Sequence, residues 1–246
     1  MVLPASGAVG VIAIWWLLIV LLDIEPIILP TPADVVRSFQ KLPRYLLEQS
    51  WSTLSVTMIG YVLATVTGLV TAVLLTSSRV LEQAMLPILV AANAVPKIAV
   101  APLLLLWMDF GPAPRIFMAA LLSVFPIVVS AMSGLTSAPA ELIELAASLS
   151  ASRWQTYRKL RLPWALPQIF VGLKLAVSLA VIGAVIGEFS GGDRGLGYVV
   201  VASGGSADTA LAFAAIGLLS LMSVILFYVV VAVERVLLPW AREITG

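Results

Sequence analysis

Neither cysteine nor histidine occurs in the 246 residues. Disulfides, thiolate nucleophiles and Cys/His zinc sites are therefore excluded, and the commonest general base and metal ligand is missing. Charge is scarce too: 11% of residues are Asp, Glu, Lys or Arg, where an ordinary soluble domain has about 25%. Fourteen basic residues face thirteen acidic ones, a formal charge of +1. With no basic excess to neutralise a phosphate backbone, nucleic acid is not an expected partner. What is present is apolar: 61% of residues are hydrophobic and the mean hydropathy is +1.09. A soluble globule is ruled out, and the composition favours moving a substance over reacting with it. No catalytic, cofactor or metal site is expected.

Crossing about 30 Å of hydrocarbon takes about 20 helical residues. Six runs qualify. Met1 to Leu22 carries no charge and lacks the basic start and cleavage site of a signal peptide, so it is expected to be a retained first span. Gln49 to Ser78 is uncharged and rich in Thr, Ser and Gly, which suits a helix inside a bundle because small residues let backbones approach. Gln83 to Met108 is interrupted only by Lys97, while Ile116 to Ala140 and Thr209 to Val233 carry no charge. Gln168 to Gly187 is the shortest, and its one charge, Lys174, lies near enough to an end to snorkel to the interface. The expected fold is an all-α membrane protein, a single domain over residues 1–246 with about six transmembrane helices.

Glu141 to Arg161 contains Arg153, Arg158, Lys159 and Arg161 against Glu141 and Glu144, the strongest positive-inside signal of the chain. Placing it in the cytoplasm puts both termini inside, with seven basic residues there, including Arg79, Arg235 and Arg242. The five outside are Arg37, Lys41, Arg44, Arg115 and Arg194. The outer stretch from Asp23 to Gln49 is punctuated by four prolines, and Asp34 to Leu42 is expected to form a short amphipathic helix on the membrane surface.

The basic loop has a grammar of its own. Pro139 and Glu141 suit a first helical turn, and Leu142, Leu145, Ala146 and Leu149 follow at i, i+3, i+4 and i+7. Ser152 followed by Gln155 is a capping-box pattern, which predicts a second short helix from Arg153 that shows Trp154 and Tyr157 on one side and ends by Pro163. Two readings stay open on these residues alone: a solvated loop that sets topology, or a docking surface formed by the Leu stripe, Trp154 and Tyr157.

Glu144-Leu-Ala146, then Ser150, then Leu160-Arg-Leu-Pro163 keeps the spacing of a known signature. In it, Glu-Ala-Ala is followed after three residues by Gly and after nine more by Ile-x-Leu-Pro. The chain thus resembles the permease subunits of ATP-binding-cassette importers, the binding-protein-dependent inner-membrane components. Leu145 replaces the first Ala and Ser150 the Gly, and since Ser enters the left-handed region less cheaply than Gly, a different turn is expected. The resemblance extends to Leu29-Pro-Thr-Pro-Ala-Asp34, Pro96 to Leu104, Gly172-Leu-Lys-Leu175, Gly195-Leu-Gly-Tyr198, Glu234-Arg235 and Pro239-Trp240. These features are similar to the subgroup importing nitrate, taurine, aliphatic sulfonates, thiamine-pyrimidine precursors and riboflavin.

The resemblance implies a bacterial inner-membrane protein working with a second permease copy, two separate ATPase subunits and an extracytoplasmic solute-binding protein. It assigns residues 138–166 as the cytoplasmic coupling loop, with Glu141, Glu144, Leu145, Ala146, Ser150, Ala151, Trp154, Leu162 and Pro163 as the ATPase-coupling residues. The sequence has no phosphate loop, since no Gly is followed by Lys. The Gly191–Gly197 cluster is expected to be a structural turn or a gate.

A charge in hydrocarbon is costly, so each one needs a reason. Lys97 and Asn93 share a helical face among Pro87, Pro96 and Pro102, and broken helices are a way to build solute sites. Asn93, Lys97 and Glu188 are the candidate solute path; alternatively, Lys97 pairs with an acid such as Glu188 and holds the bundle together. An ion-gradient carrier or channel is the rival function, and it leaves the coupling signature without a role.

Overall fold

The computed structural model describes residues 2–240, and every regular element among them is helical. Met1 and Arg242, both used in the topology reading, lie outside the described residues. In chain order the helices are α1 (Val2–Leu22), α2 (Pro32–Lys41), α3 (Pro43–Thr76), α4 (Arg79–Ala94), α5 (Lys97–Met108), α6 (Pro112–Thr136), α7 (Ala140–Ser148), α8 (Arg153–Thr156), α9 (Leu162–Phe189), α10 (Leu196–Gly205) and α11 (Thr209–Leu237). A π turn over Tyr157–Arg161 joins α8 to α9.

Each of the six apolar runs falls on helix. Four stretches are long and apolar enough to span by themselves: α3, α6, α11, and α9 with the helical turns that lead into it. The third run does not form one rod. It breaks into α4 and α5, bent by 86°, because Pro96 drives Val95 out of the helical region to ψ 130° and ends α4 at Ala94. Since α4 starts where α3 ends and α5 ends where α6 begins, the pair crosses from one end of the bundle to the other as a broken fifth span. The 21-residue α1 is a further apolar helix, stacked on α11 through Trp15 and Phe213 at 5.8 Å between ring centres.

The expected surface helix forms as α2. Its start is a capping box: the Asp34 amide donates to the Thr31 hydroxyl (3.2 Å) and the Thr31 amide to the Asp34 carboxylate (3.3 Å). The Thr31 hydroxyl, with Arg37 nearby, holds the Asp34 carboxyl below its ordinary range. Val35 and Phe39 pack against a cluster of Leu46, Leu196, Val199, Ala214 and Ala215, so α2 is seated on α10 and α11. Thr209 secures the preceding loop by donating to the Ile27 carbonyl at 2.7 Å.

The interior is built from α3, α6 and α9, and small residues set its tightness. A Cβ on Gly183 would stand 2.5 Å from the Met118 carbonyl oxygen, and one on Gly187 2.7 Å from the Arg115 Cα. Only glycine lets α9 approach α6 this closely. The Ser123 hydroxyl reaches the Ala176 carbonyl across the same interface at 3.0 Å. The fifth span therefore departs from its expected form: it is longer than Gln168 to Gly187 and central to the bundle. Its Lys174, twelve residues inside α9, is paired at 2.9 Å with Glu234, three residues from the end of α11.

Candidate functional site

The segment between α6 and α9 folds as two short helices around a tight turn. α7 ends in a Schellman motif: the Ala151 amide donates to the Ala146 carbonyl and the Ser150 amide to the Ala147 carbonyl, both at 3.0 Å. Ser150 stands at φ +56°, in the left-handed region. The two crossed hydrogen bonds dictate the backbone, and Ser150 adopts the glycine conformation at a cost of about 1–2 kcal/mol.

The capping box of α8 is present as predicted. The Ser152 amide donates to Gln155 Oε1 at 2.8 Å and the Gln155 amide to Ser152 Oγ at 3.2 Å. Trp154 stacks on Tyr157 with ring centres 6.0 Å apart and planes 14° from parallel. The second helix does not end by Pro163. The proline lacks an N–H and its ring crowds the carbonyl four residues back. The backbone widens into the π turn, in which the Leu162 amide donates to the Tyr157 carbonyl, and the helix runs on into α9. From Trp154 to Phe189, α8, the π turn and α9 are one continuous helical rod.

The sequence-selected residues divide by exposure. Glu141, Glu144, Leu145, Ser150 and Trp154 are exposed, Leu145 and Trp154 at 55% and 67%. Ala146 is buried, Ala151 and Pro163 are half-buried, and Leu162 packs behind the loop against Ala131, Leu135 and Ala165. The apolar stripe is therefore split: Ala146 turns inward while Leu145 and Leu149 face out.

At the break between α4 and α5, the Lys97 ammonium donates to the Asn93 side-chain oxygen. The shared helical face becomes a contact across the kink. The alternative pairing with Glu188 is corrected, because among the described residues Lys97 forms no ion pair.

Glu188 lies at the opposite end of α9 from α7 and α8 and is 1% exposed. Its Oε1 accepts from the Thr53 hydroxyl (2.8 Å) and its Oε2 from the Gly197 amide (2.7 Å), while Thr53 accepts from the Leu196 amide (2.8 Å) and Gln49 from the Gly195 amide (2.6 Å). The carboxylate thus sits under the first turn of α10, where the helix dipole and free amides favour a negative charge. Its side chain is buried and hydrogen-bonded within the subunit. Gly195, at φ +110°, has no room for a Cβ beside that carboxylate. The Gly191–Gly197 segment is thus held as a tight turn over the Glu188 carboxylate. Arg115 closes it from below by donating to the carbonyls of Arg194 (2.9 Å) and Gly111 (3.0 Å) and pairing with Asp193 (3.4 Å).

Sequence reasoning missed these pairings, although their parts were visible: Gly172-Leu-Lys-Leu175 and Glu234-Arg235 were noted separately, and the structure joins them through Lys174 and Glu234. A charge inside one apolar run, with an acid directly at the end of another, was the available signal.

Comparison with known proteins agrees with this architecture. Residues 64–241 match the model of the binding-protein-dependent transport system inner membrane component family. The riboflavin transport system permease protein RibX of Chloroflexus aurantiacus is 38% identical over 215 residues, 87% of this chain and 80% of that protein. The formylaminopyrimidine transport permease protein ThiX of Halalkalibacterium halodurans is 34% identical over 220 residues, 89% of this chain and 88% of that protein. An inward-facing structure of the MetNI methionine ABC transporter shares the fold with a TM-score of 0.69 at 21% identity, covering 78% of this chain and 95% of the matched one. The chain belongs to the binding-protein-dependent transport system inner-membrane component family and is a multi-pass permease subunit of an ABC importer.

Proposed function

We propose that two copies of this chain form the pathway of an ATP-driven importer, with residues 138–166 as the loop that carries the ATPase stroke into the membrane. The observation that supports this most is the continuity of Trp154 to Phe189 as one helical stretch. A force applied at α7 and α8 is passed directly to α9, which packs against α6, α3 and α11. The outward-facing Glu141, Glu144, Leu145, Leu149 and Trp154 form the surface for a groove of the ATPase, and Ser150 and Ala151 hold the turn between the two helices.

The loop end faces the cytoplasm, with both termini on that side, and the α2 and α10 end faces the solute-binding protein. Asn93 and Lys97, at the break between α4 and α5, line the path. The solute is a small nutrient of the kind named for the relatives. A heterocycle of the riboflavin or pyrimidine-precursor type stands first, on the higher identity of RibX and ThiX.

The deciding experiment is ATP-driven uptake by purified complex in liposomes. Glu144→Lys leaves the permease inserted and dimeric, weakens ATPase association and abolishes solute-stimulated ATP hydrolysis, because the exposed carboxylate accepts charge-assisted hydrogen bonds worth about 1.5–3 kcal/mol each. Glu141→Lys, nearer the helix start, is milder. Normal transport by the Glu144→Lys protein overturns the reading.

A further inference from the structure

Between the coupling loop and the helix ends lies a groove of about 590 Å³. Val73 of α3 and Leu135 of α6 form one wall; Ile143 and Ala147 of α7, with Tyr157 of the π turn, form the other. We propose that this groove seats one anionic phospholipid, with an acyl chain between the two walls and its headgroup on the cations of the π turn.

Three observations carry it. The first is charge: Arg161 borders the groove and is half-buried, Arg158 and Lys159 are exposed beside it, and none of the three forms an ion pair among the described residues. A guanidinium withdrawn from water without an acid partner calls for an anion. The second is depth. α3 ends at Thr76 and α6 at Thr136, so the groove opens where apolar spans stop and headgroups begin. The stacked Trp154 and Tyr157 are side chains of the type that concentrates at this boundary. The third is wall chemistry: Val73, Leu135, Ile143, Ala147 and Trp154 offer an acyl chain an apolar surface, while the hydroxyls of Thr76, Ser77 and Thr156 on the same lining already donate to backbone carbonyls of their own turns, so Arg161 is the one charged group that borders it. Basic pockets between span ends at the cytoplasmic side are where anionic headgroups bind. Because one wall is membrane body and the other is coupling loop, a lipid seated there fixes the spacing between them. The proposal rests on the orientation given above, but lipid occupancy can be read without the ATPase, so its failure is separable from failure of the coupling reading.

The test uses the full-length permease in phosphatidylcholine bilayers containing brominated phosphatidylglycerol, with the Trp154 contribution to fluorescence taken as the difference from Trp154→Phe. Quenching of Trp154 is expected at low mole fractions of the anionic lipid and not with brominated phosphatidylcholine at the same level. Arg161→Gln is expected to raise the mole fraction for half-quenching about fivefold, the weight of one cation near an anionic surface, while Arg161→Lys restores it. Inorganic phosphate in excess is expected to leave the quenching unchanged. Equal quenching by both lipids overturns the proposal. So does an unaltered lipid preference in Arg161→Gln, displacement by phosphate, or protection of Trp154 from both lipids by a second copy of the chain.

Discussion

Lys174 of α9 and Glu234 of α11 meet at 2.9 Å, with their side chains only 22% and 21% exposed. Two charges, each costly in an apolar setting, are tolerable there because they are paired. Removing one partner with Glu234→Gln or Lys174→Met is expected to destabilise the permease by about 3 kcal/mol, since the other charge is left without a counterion. Replacing both with apolar residues, Lys174→Met with Glu234→Leu, is expected to recover most of that loss. Thermal unfolding of the four proteins in detergent measures the coupling, and additive losses in the double variant would remove the pair as the cause.

Ser150 holds a backbone conformation that glycine adopts without penalty. Ser150→Gly is therefore expected to stabilise the turn by about 1 kcal/mol, and Ser150→Val, β-branched, to weaken it. The readout is hydrogen exchange at the Ala151 amide, which donates to Ala146; about fivefold slower exchange corresponds to that gain. Unchanged exchange in both variants would show that the turn carries no strain.

Lys97 contacts Asn93 across the kink and no carboxylate among the described residues. Lys97→Met is expected to leave folding, assembly and basal ATP hydrolysis intact while cutting uptake severalfold, as a path-lining cation requires. A permease that no longer survives extraction in detergent would assign Lys97 a structural role instead.

Glu188 is expected to behave as a structural acid. Glu188→Gln puts a donor where a second acceptor stood, leaving either the Thr53 hydroxyl or the Gly197 amide unpaired at a cost of about 1–3 kcal/mol. Gly195→Ala is expected to cost more, since it adds a methyl where the carboxylate lies and forces alanine to φ +110°. Limited proteolysis at the Gly191–Gly197 turn should accelerate in both, and full resistance in Gly195→Ala would show that the turn can shift aside.

The sequence by itself determined the class, the positions of the apolar helices, the capping box at Ser152 and the family signature around Glu144. These are local features: a 20-residue apolar run, a side chain three residues from the amide it caps, a spacing along one loop. They need no knowledge of what lies across the bundle. The tertiary structure alone decided the rest. Lys174 and Glu234 are 60 residues apart and Thr53 and Glu188 are 135, and such pairs form only when helix packing brings them together. Packing also decided that Lys97 and Glu188 do not meet and that the Pro163 helix continues through a π turn. The left-handed Ser150 has the same origin, because a backbone held by two crossed hydrogen bonds overrides the preference of the residue placed in it.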